Sequence, residues 1–264
     1  MKSNARPLAL VTGASSGIGA NLARELAKDG HDLILCARRV EPMQALAEEL
    51  KAVGCNSTIL AADLSQNGAA AALAGDIETR GLTVDVLINA AGLGANGRFD
   101  AQDSRRISEM LQVNVVALTE LTRMLLPGMV SRGKGRVMLV ASTAGFQPGP
   151  QMAVYCASKA YALHFGEAIA YELRNSGVTV TTLCPGATDT EFARVADAGK
   201  SALFKGLLPV MTATEVAQLG YQGLKARRRV VITGLVNKIM VTSSWLSPAS
   251  VSLRIANWMM STGK

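Results

Sequence analysis

The stretch LALVTGASSGIGANLARELAK, residues 8–28, decides how the rest of the chain is read. Its first five residues, 8–12, form a short apolar run that stops at a glycine, as a strand buried on both faces does. From Gly17 onward, Ile18, Leu22 and Leu26 recur every four residues, one face of a helix that runs to Lys28. Between the two lie Gly13, Ala14, Ser15, Ser16, Gly17, Ile18 and Gly19, with glycines at i, i+4 and i+6. A strand that passes through such a turn into a helix brings bare backbone N–H groups and the positive helix end to one point, where a phosphate is held. An ordinary βα turn has the same ingredients, so the weight rests on the position directly after the first strand.

The alternation continues outward. Strand-like runs fall at 32–37, 57–62, 84–89, 136–142, 178–184 and 230–233. Helix-like stretches lie between them: one opened by Pro42 and closed by Gly54, then 69–77, 106–129, 154–175 and 214–225. Strands separated by helical crossovers predict an α/β fold, a parallel sheet with helices on both faces. No linker-like boundary interrupts the pattern, which predicts a single domain over residues 1–264.

Composition narrows the function classes. Of 264 residues, 49% are apolar and 18% charged, which excludes a disordered chain. Aromatics are only 4%, few for a surface that stacks nucleic-acid bases, and no nucleic-acid partner is expected. The net charge of +7 is local: Lys225, Arg227, Arg228, Arg229, Lys238, Arg254 and Lys264 follow Glu215, the last acid, and the preceding part balances. Cys36, Cys55, Cys156 and Cys184 show no CxxC spacing and there are two histidines, so neither a metal site nor a disulfide framework is expected. The apolar run near the N-terminus is too short for a signal core, and no stretch reaches about 18 uninterrupted apolar residues. The expected setting is cytoplasmic.

Chemistry concentrates at predicted strand ends. Ala37 stands where an acid would grip an adenosine ribose, 18 residues past Gly19, and Arg38 and Arg39 follow. A carboxylate there binds a 2′-hydroxyl and repels a 2′-phosphate; a guanidinium does the reverse, which favours NADP(H) over NAD(H). The plainer alternative is two solvated surface arginines. Asp63-Leu64 and Asn89-Ala90-Ala91-Gly92 close the third and fourth strands, where ligands bind in open α/β sheets. Tyr155 and Lys159 are four apart in a helical stretch, hence on one face, and Ser142 closes the fifth strand. A phenol is a weak acid–base catalyst at neutral pH, and an ammonium beside it lowers its pKa. A hydroxyl opposite it holds an oxygen on which charge develops. Such a set suits reduction of a carbonyl.

Together and in this order, Thr-Gly-x-x-x-Gly-x-Gly at 12–19, Asn-x-Ala-Gly at 89–92, Asn114, Ser142, Tyr-x-x-x-Lys at 155–159 and Pro185-Gly186 with Thr190 resemble the short-chain dehydrogenase/reductase family, in its compact NADP-preferring branch. The resemblance spans about residues 7–235. It implies a Rossmann-type doubly wound sheet of seven parallel strands and a nicotinamide cofactor. It also implies a catalytic set of Asn114, Ser142, Tyr155 and Lys159. Ala90 departs from the pattern, since many relatives carry a second Asn there. By resemblance, Tyr155 exchanges the proton with the substrate oxygen, and Lys159 lowers the Tyr155 pKa and binds the nicotinamide ribose. Ser142 orients the substrate, and Asn114 holds a water linking Lys159 to solvent. Cofactor contacts fall to Gly13, Ser15, Ser16, Gly17, Ile18, Gly19, Arg38, Arg39, Asp63, Leu64, Asn89, Ala90, Gly92, Tyr155, Lys159, Pro185, Gly186, Thr188 and Thr190. Homo-oligomers are usual in the family, through the two long helices at 106–129 and 154–175.

The family places its substrate loop over 189–211, where Phe192, Val195, Leu203, Phe204, Leu207, Leu208 and Met211 predict an apolar lid and a small apolar carbonyl or alcohol substrate. The tail, 235–264, repeats Leu235, Ile239 and Met240, then Val251, Ile255 and Met259, at helical spacing, with Trp245 and Trp258 nearby and Pro248 between. Such helices cover the pocket, pair with another subunit, or lie on an anionic membrane; the last is not favoured. The rival to an enzyme is a nucleotide-binding sensor or scaffold without turnover, which has no use for a complete proton-transfer set.

Overall fold

Register places the first strands side by side. In a computed structural model describing residues 6–191, 210–247 and 249–260, β1 (Leu8–Thr12) pairs in parallel with β2 (Asp32–Ala37) and with β4 (Val86–Asn89). Thr12 lies level with Cys36 on one side and Asn89 on the other. The full order is β3-β2-β1-β4-β5-β6-β9, all parallel, with β3 at Ser57–Ala61, β5 at Gly135–Val140, β6 at Val178–Cys184 and β9 at Val230–Ile232. β7 (Thr188–Asp189) and β8 (Met211–Thr212) pair with each other, apart from this sheet. The chain reverses direction of travel across the sheet between β1 and β4, so a crevice opens at their C-terminal ends. The predicted seven-stranded, doubly wound Rossmann-type sheet is the observed one.

Alternation within each strand supplies two cores. Val11, Leu35 and Ile88 face one side, against Leu22 and Leu26 of α1 (Gly17–Lys28), Met43 and Leu46 of α2 (Val40–Lys51), and Val216 and Leu224 of α7 (Ala213–Lys225). Leu10, Ile34 and Leu87 face the other, against Leu73 and Ile77 of α3 (Ala69–Thr79), Leu118 and Leu121 of α5 (Leu118–Ser131), and Ala162 and Leu163 of α6 (Ala153–Glu172). Each large aliphatic side chain so buried contributes about 1.5–3 kcal/mol.

Some boundaries differ from the sequence reading, for local reasons. α2 starts at Val40, with Pro42 as its third residue, where its missing N–H has no intrahelical partner to lose. The stretch read as one helix over 106–129 is α4 (Ser104–Leu111), a π-helical turn (Gln112–Ala117) and α5. A π turn adds a residue without breaking the apolar pattern, so periodicity does not reveal it. This Ser104–Ser131 helix is long and apolar enough to cross a membrane, with a mean hydropathy of 1.3 over its best 18 residues. It lies instead against α3, β4 and β5 as a core helix. β5 ends at Val140, so Ser142 sits two residues past the strand.

The tail forms α8 (Leu235–Leu246) and α9 (Ala249–Met260). Their predicted apolar faces divide. On α8, Leu235 and Ile239 point outward, 73% and 60% exposed, while Val241 is buried. On α9, Ala256 is buried and Ile255 is exposed. The predicted lid residues Phe192, Val195, Leu203, Phe204, Leu207 and Leu208 lie outside the described residues, as do the side chains of Trp245, Val251, Trp258 and Met259.

Candidate active site

The crevice at the sheet's C-terminal edge is a cleft of ≈ 480 Å³. Its floor is the turn after β1. Gly13 has a φ of +68°, and a Cβ there would stand 2.8 Å from the Ala91 backbone nitrogen. Gly17, at +56°, would place a Cβ 3.3 Å from Thr190 Cγ2, and a Cβ on Gly19 would run into the Gly13 carbonyl oxygen. Glycine is thus required at all three. Thr12, fully buried, fixes the neighbouring edge: its Oγ1 accepts from the N–H groups of Ala90 and Ala91, each at 3.1 Å. No side chain caps the N-terminus of α1, so its first N–H groups are open to the cleft, which Ser15, Ser16, Gly17 and Ile18 line.

At the end of β2 the cleft is lined by Cys36, Ala37, Arg38 and Arg39, with no carboxylate among them. Arg39 is taken by Glu191, Nη1 to Oε1 at 2.9 Å and Nη2 to Oε2 at 2.5 Å. Asp63 and Leu64 also line the cleft. Asp63 Oδ1 accepts from the Ser65 N–H at 3.1 Å and the Ser65 hydroxyl at 2.8 Å. Burial works against its charge, but the bonds from Ser65 and Gln66 and the nearby Arg38 charge outweigh it and hold the carboxyl below its usual range.

Tyr155, Lys159 and Ser142 meet on the opposite wall. Tyr155 and Lys159 are buried on one face of α6. The Lys159 Nζ lies 5.8 Å from the Tyr155 ring centre and donates to the Val140 carbonyl at 2.8 Å. Burial lowers the Lys159 pKa to about 8. Burial pushes the Tyr155 hydroxyl above the usual phenol range, against a smaller lowering by its hydrogen bond with Ser142. Burial, and not the expected lowering by Lys159, sets the direction. Ser142 Oγ accepts from the Ala144 N–H at 3.1 Å and donates to the Pro185 carbonyl at 3.3 Å, so its position is fixed from two sides.

Two residues predicted for the site do not line the cleft. Asn114, in the π turn, is buried behind Lys159. Its Oδ1 accepts from the Leu93 N–H and its Nδ2 donates to the Leu93 carbonyl and to Ser158 Oγ, all at 2.9 Å. A Cβ at Gly92 would stand 3.4 Å from Lys159 Nζ and 3.6 Å from Asn114 Oδ1, so all three converge. Asn89 points away from the cleft altogether, donating to Thr122 Oγ1 at 3.0 Å, and ties β4 to α5. The remaining predicted residues, Ala90, Gly92, Pro185, Gly186, Thr188 and Thr190, all line the cleft.

On the inner face of α8 the sequence reading named Met240 and missed Asn237, Val241 and Ser244. Asn237, Met240, Val241 and Ser244 line the cleft, and Asn237 donates to the Thr233 carbonyl at 2.7 Å. Its side chain sits where a Cβ on Gly186 would be, so α8 packs on the Pro185-Gly186 turn. The signal was available: i, i+3, i+4 and i+7 spacing. It was obscured by the more apolar Leu235 and Ile239, which face outward. Leu93, Val113, Gln147 and Met152 complete the lining near Tyr155. Among the described residues, no group of three or more His, Cys, Asp or Glu is placed to hold a metal ion. All four cysteines are buried free thiols.

Known proteins resemble this chain in sequence and fold. The ketoacyl reductase HetN of Nostoc sp. is 32% identical over 255 residues, 94% of this chain and 88% of the relative. A short-chain dehydrogenase from Sphingobium yanoikuyae, solved in complex with NADPH, is 32% identical with a TM-score of 0.79, covering 91% of this chain and 94% of that one. A short-chain dehydrogenase/reductase from Burkholderia phymatum, solved with NAD, superposes with a TM-score of 0.79 at 26% identity, covering 92% and 94%. The family model for short chain dehydrogenases matches residues 7–201. The chain therefore belongs to the short-chain dehydrogenase family and is an oxidoreductase.

Proposed function

We propose that this protein is an NADP(H)-preferring reductase that interconverts an apolar ketone and its alcohol. The observation that carries the reading is the meeting of Tyr155, Lys159 and Ser142 on the wall of one cleft whose floor is the glycine turn. The residues fit a dinucleotide: a Cβ at Gly13 or Gly19 would strike the backbone that shapes the turn, and the α1 N-terminus offers uncapped N–H donors. Gly13, Ser15, Ser16, Gly17, Ile18 and Gly19 would hold the diphosphate, Asp63, Leu64 and Ala90 the adenosine, and Gly92, Pro185, Gly186, Thr188 and Thr190 the nicotinamide end. Asn89 supports this wall from behind through Thr122. When bound, the nicotinamide ring supplies or takes up the hydride.

The chain's own residues manage the proton. Tyr155 gives it to the substrate oxygen in reduction and removes it in oxidation. A phenol is protonated at neutral pH even without the upward shift that burial adds, so Tyr155 holds the proton that reduction consumes. Ser142 donates to the same oxygen as charge develops there, by rotating its one hydroxyl proton away from the Pro185 carbonyl. Lys159 binds the nicotinamide ribose and steadies the phenolate once the proton has left. Asn114, locked between Leu93 and Ser158, positions the path by which Lys159 reaches a water and solvent.

Substrate polarity follows from the walls. Leu93, Met152, Met240 and Val241 favour an apolar ketone, and the ketoacyl activity in the name of the Nostoc relative fits an acyl-chain ketone. The setting is cytoplasmic and the protein a homo-oligomer. Exposed Val116, Met124 and Val130 on the 104–131 helix and Tyr161 and Tyr171 on α6 support a partner copy there.

The test is NADPH consumption across ketones graded from small and polar to long and apolar, with NADH in parallel. Turnover rising with apolar size, and with NADPH only, is expected. Tight NADPH binding without turnover on any ketone favours the sensor reading. In the same assay, Arg38→Asp is expected to move the NADPH/NADH preference toward NADH by roughly 100-fold, since a guanidinium–phosphate pair is replaced by two anions. An unchanged ratio overturns the phosphate reading.

A further inference from the structure

We propose that Glu191 tunes how strongly the cleft reads a 2′-phosphate, by holding Arg39 away from it; the inference rests on the nucleotide reading above. Arg38 and Arg39 leave β2 side by side and both line the cleft. Their situations differ. Arg38 makes no hydrogen bond or ion pair among the described residues, and its charge is felt by Asp63. Arg39 spends both terminal nitrogens on Glu191, a residue 152 positions away. That two-pronged face is the one a guanidinium presents to a phosphate.

Glu191 reaches this point because of where its neighbour sits. Thr190 lies over the glycine turn, its Cγ2 3.3 Å from where a Cβ on Gly17 would be. Residues 190–191 thus run from the diphosphate turn toward the ribose end, and Glu191 lines the cleft there. A carboxylate at this place does two things to a nucleotide carrying a 2′-phosphate: it competes for Arg39, and it repels the phosphate. It does neither to a nucleotide with a 2′-hydroxyl, which carries no charge at that position. The pair is half exposed, Arg39 at 49% and Glu191 at 34% of the side chain, so a dianion can compete for it. Glu191 therefore lowers the advantage of the phosphate-bearing nucleotide without touching the shared remainder.

The experiment is calorimetric titration of the full chain with adenosine 2′,5′-bisphosphate and with 5′-AMP, which differ only in the 2′-phosphate. Glu191→Gln is expected to tighten the bisphosphate roughly ten-fold and leave AMP unchanged. Glu191→Asp, which keeps the charge, is expected to behave as wild type. Adding Arg39→Gln to Glu191→Gln is expected to remove the gain, a result that a merely structural role for Glu191 does not produce. The proposal is overturned if Glu191→Gln leaves the bisphosphate affinity unchanged, or tightens AMP equally. If the wild type shows no preference for the bisphosphate, the NADP(H) reading fails by itself. The Glu191 inference is then still decided by whether Glu191→Gln creates a preference.

Discussion

Replacing Tyr155 with Phe is expected to reduce turnover about a thousandfold, while nucleotide affinity and folding stay near wild type. General acid–base catalysis contributes about 10²–10⁴ to such reactions, and Tyr155 is the proton donor proposed here. The substitution removes one oxygen and keeps the ring that fills the wall. The usual danger, a buried partner left without a hydrogen bond, does not arise at Ser142. Its oxygen still accepts from the Ala144 N–H and donates to the Pro185 carbonyl. Lys159 keeps its bond to the Val140 carbonyl. Stability is therefore expected to change by about 1 kcal/mol or less. Steady-state turnover, nucleotide titration and a thermal melt check this together. Turnover surviving within ten-fold of wild type moves the proton to another group, while lost nucleotide binding assigns Tyr155 to binding instead.

Replacing Gly19 with Ala is expected to weaken nucleotide binding by about 100-fold with the sheet intact. In a helix interior, alanine is favoured over glycine by about 1 kcal/mol, so propensity alone predicts a gain. Packing opposes it. The new Cβ runs into the Gly13 carbonyl oxygen and stands 3.2 Å from that of Thr12. Gly13 cannot retreat, because the backbone of Ala90 and Ala91 already lies against it. Overfilling a packed site costs about 1–3 kcal/mol, which exceeds the propensity gain. The strain is relieved by moving α1 outward, and its open N–H groups move with it. A displacement near 1 Å is enough to cost about 10²-fold at a site built on fixed geometry. Fluorescence titration with NADPH, alongside circular dichroism, reads both effects. An unchanged affinity would mean that the turn does not hold the diphosphate.

Much of the site was legible because its signals are local. The glycine turn, the four-residue spacing of Tyr155 and Lys159, and the missing carboxylate at Ala37 each occupy a few consecutive residues. Asn89 and Asn114 show the limit. Both are buried asparagines of the family pattern, Asn89 at the end of β4 and Asn114 in the π turn, yet one faces α5 and the other Lys159. The π turn that carries Asn114 leaves the apolar repeat intact, so nothing in the string marks it. On α8 the more apolar face was the wrong guide: Leu235 and Ile239 are exposed, and the mixed face of Asn237, Met240, Val241 and Ser244 lines the cleft.

By itself the sequence determined the order of strands and helices and the places where the backbone must be bare. Apolar period and glycine placement set those within a single turn or strand. Only the tertiary structure decided the pairing of Arg39 with Glu191, the inward face of α8, and the burial that raises Tyr155 and lowers Lys159 to about 8. Those depend on which distant segments meet and how much water remains between them, and no local pattern carries either quantity.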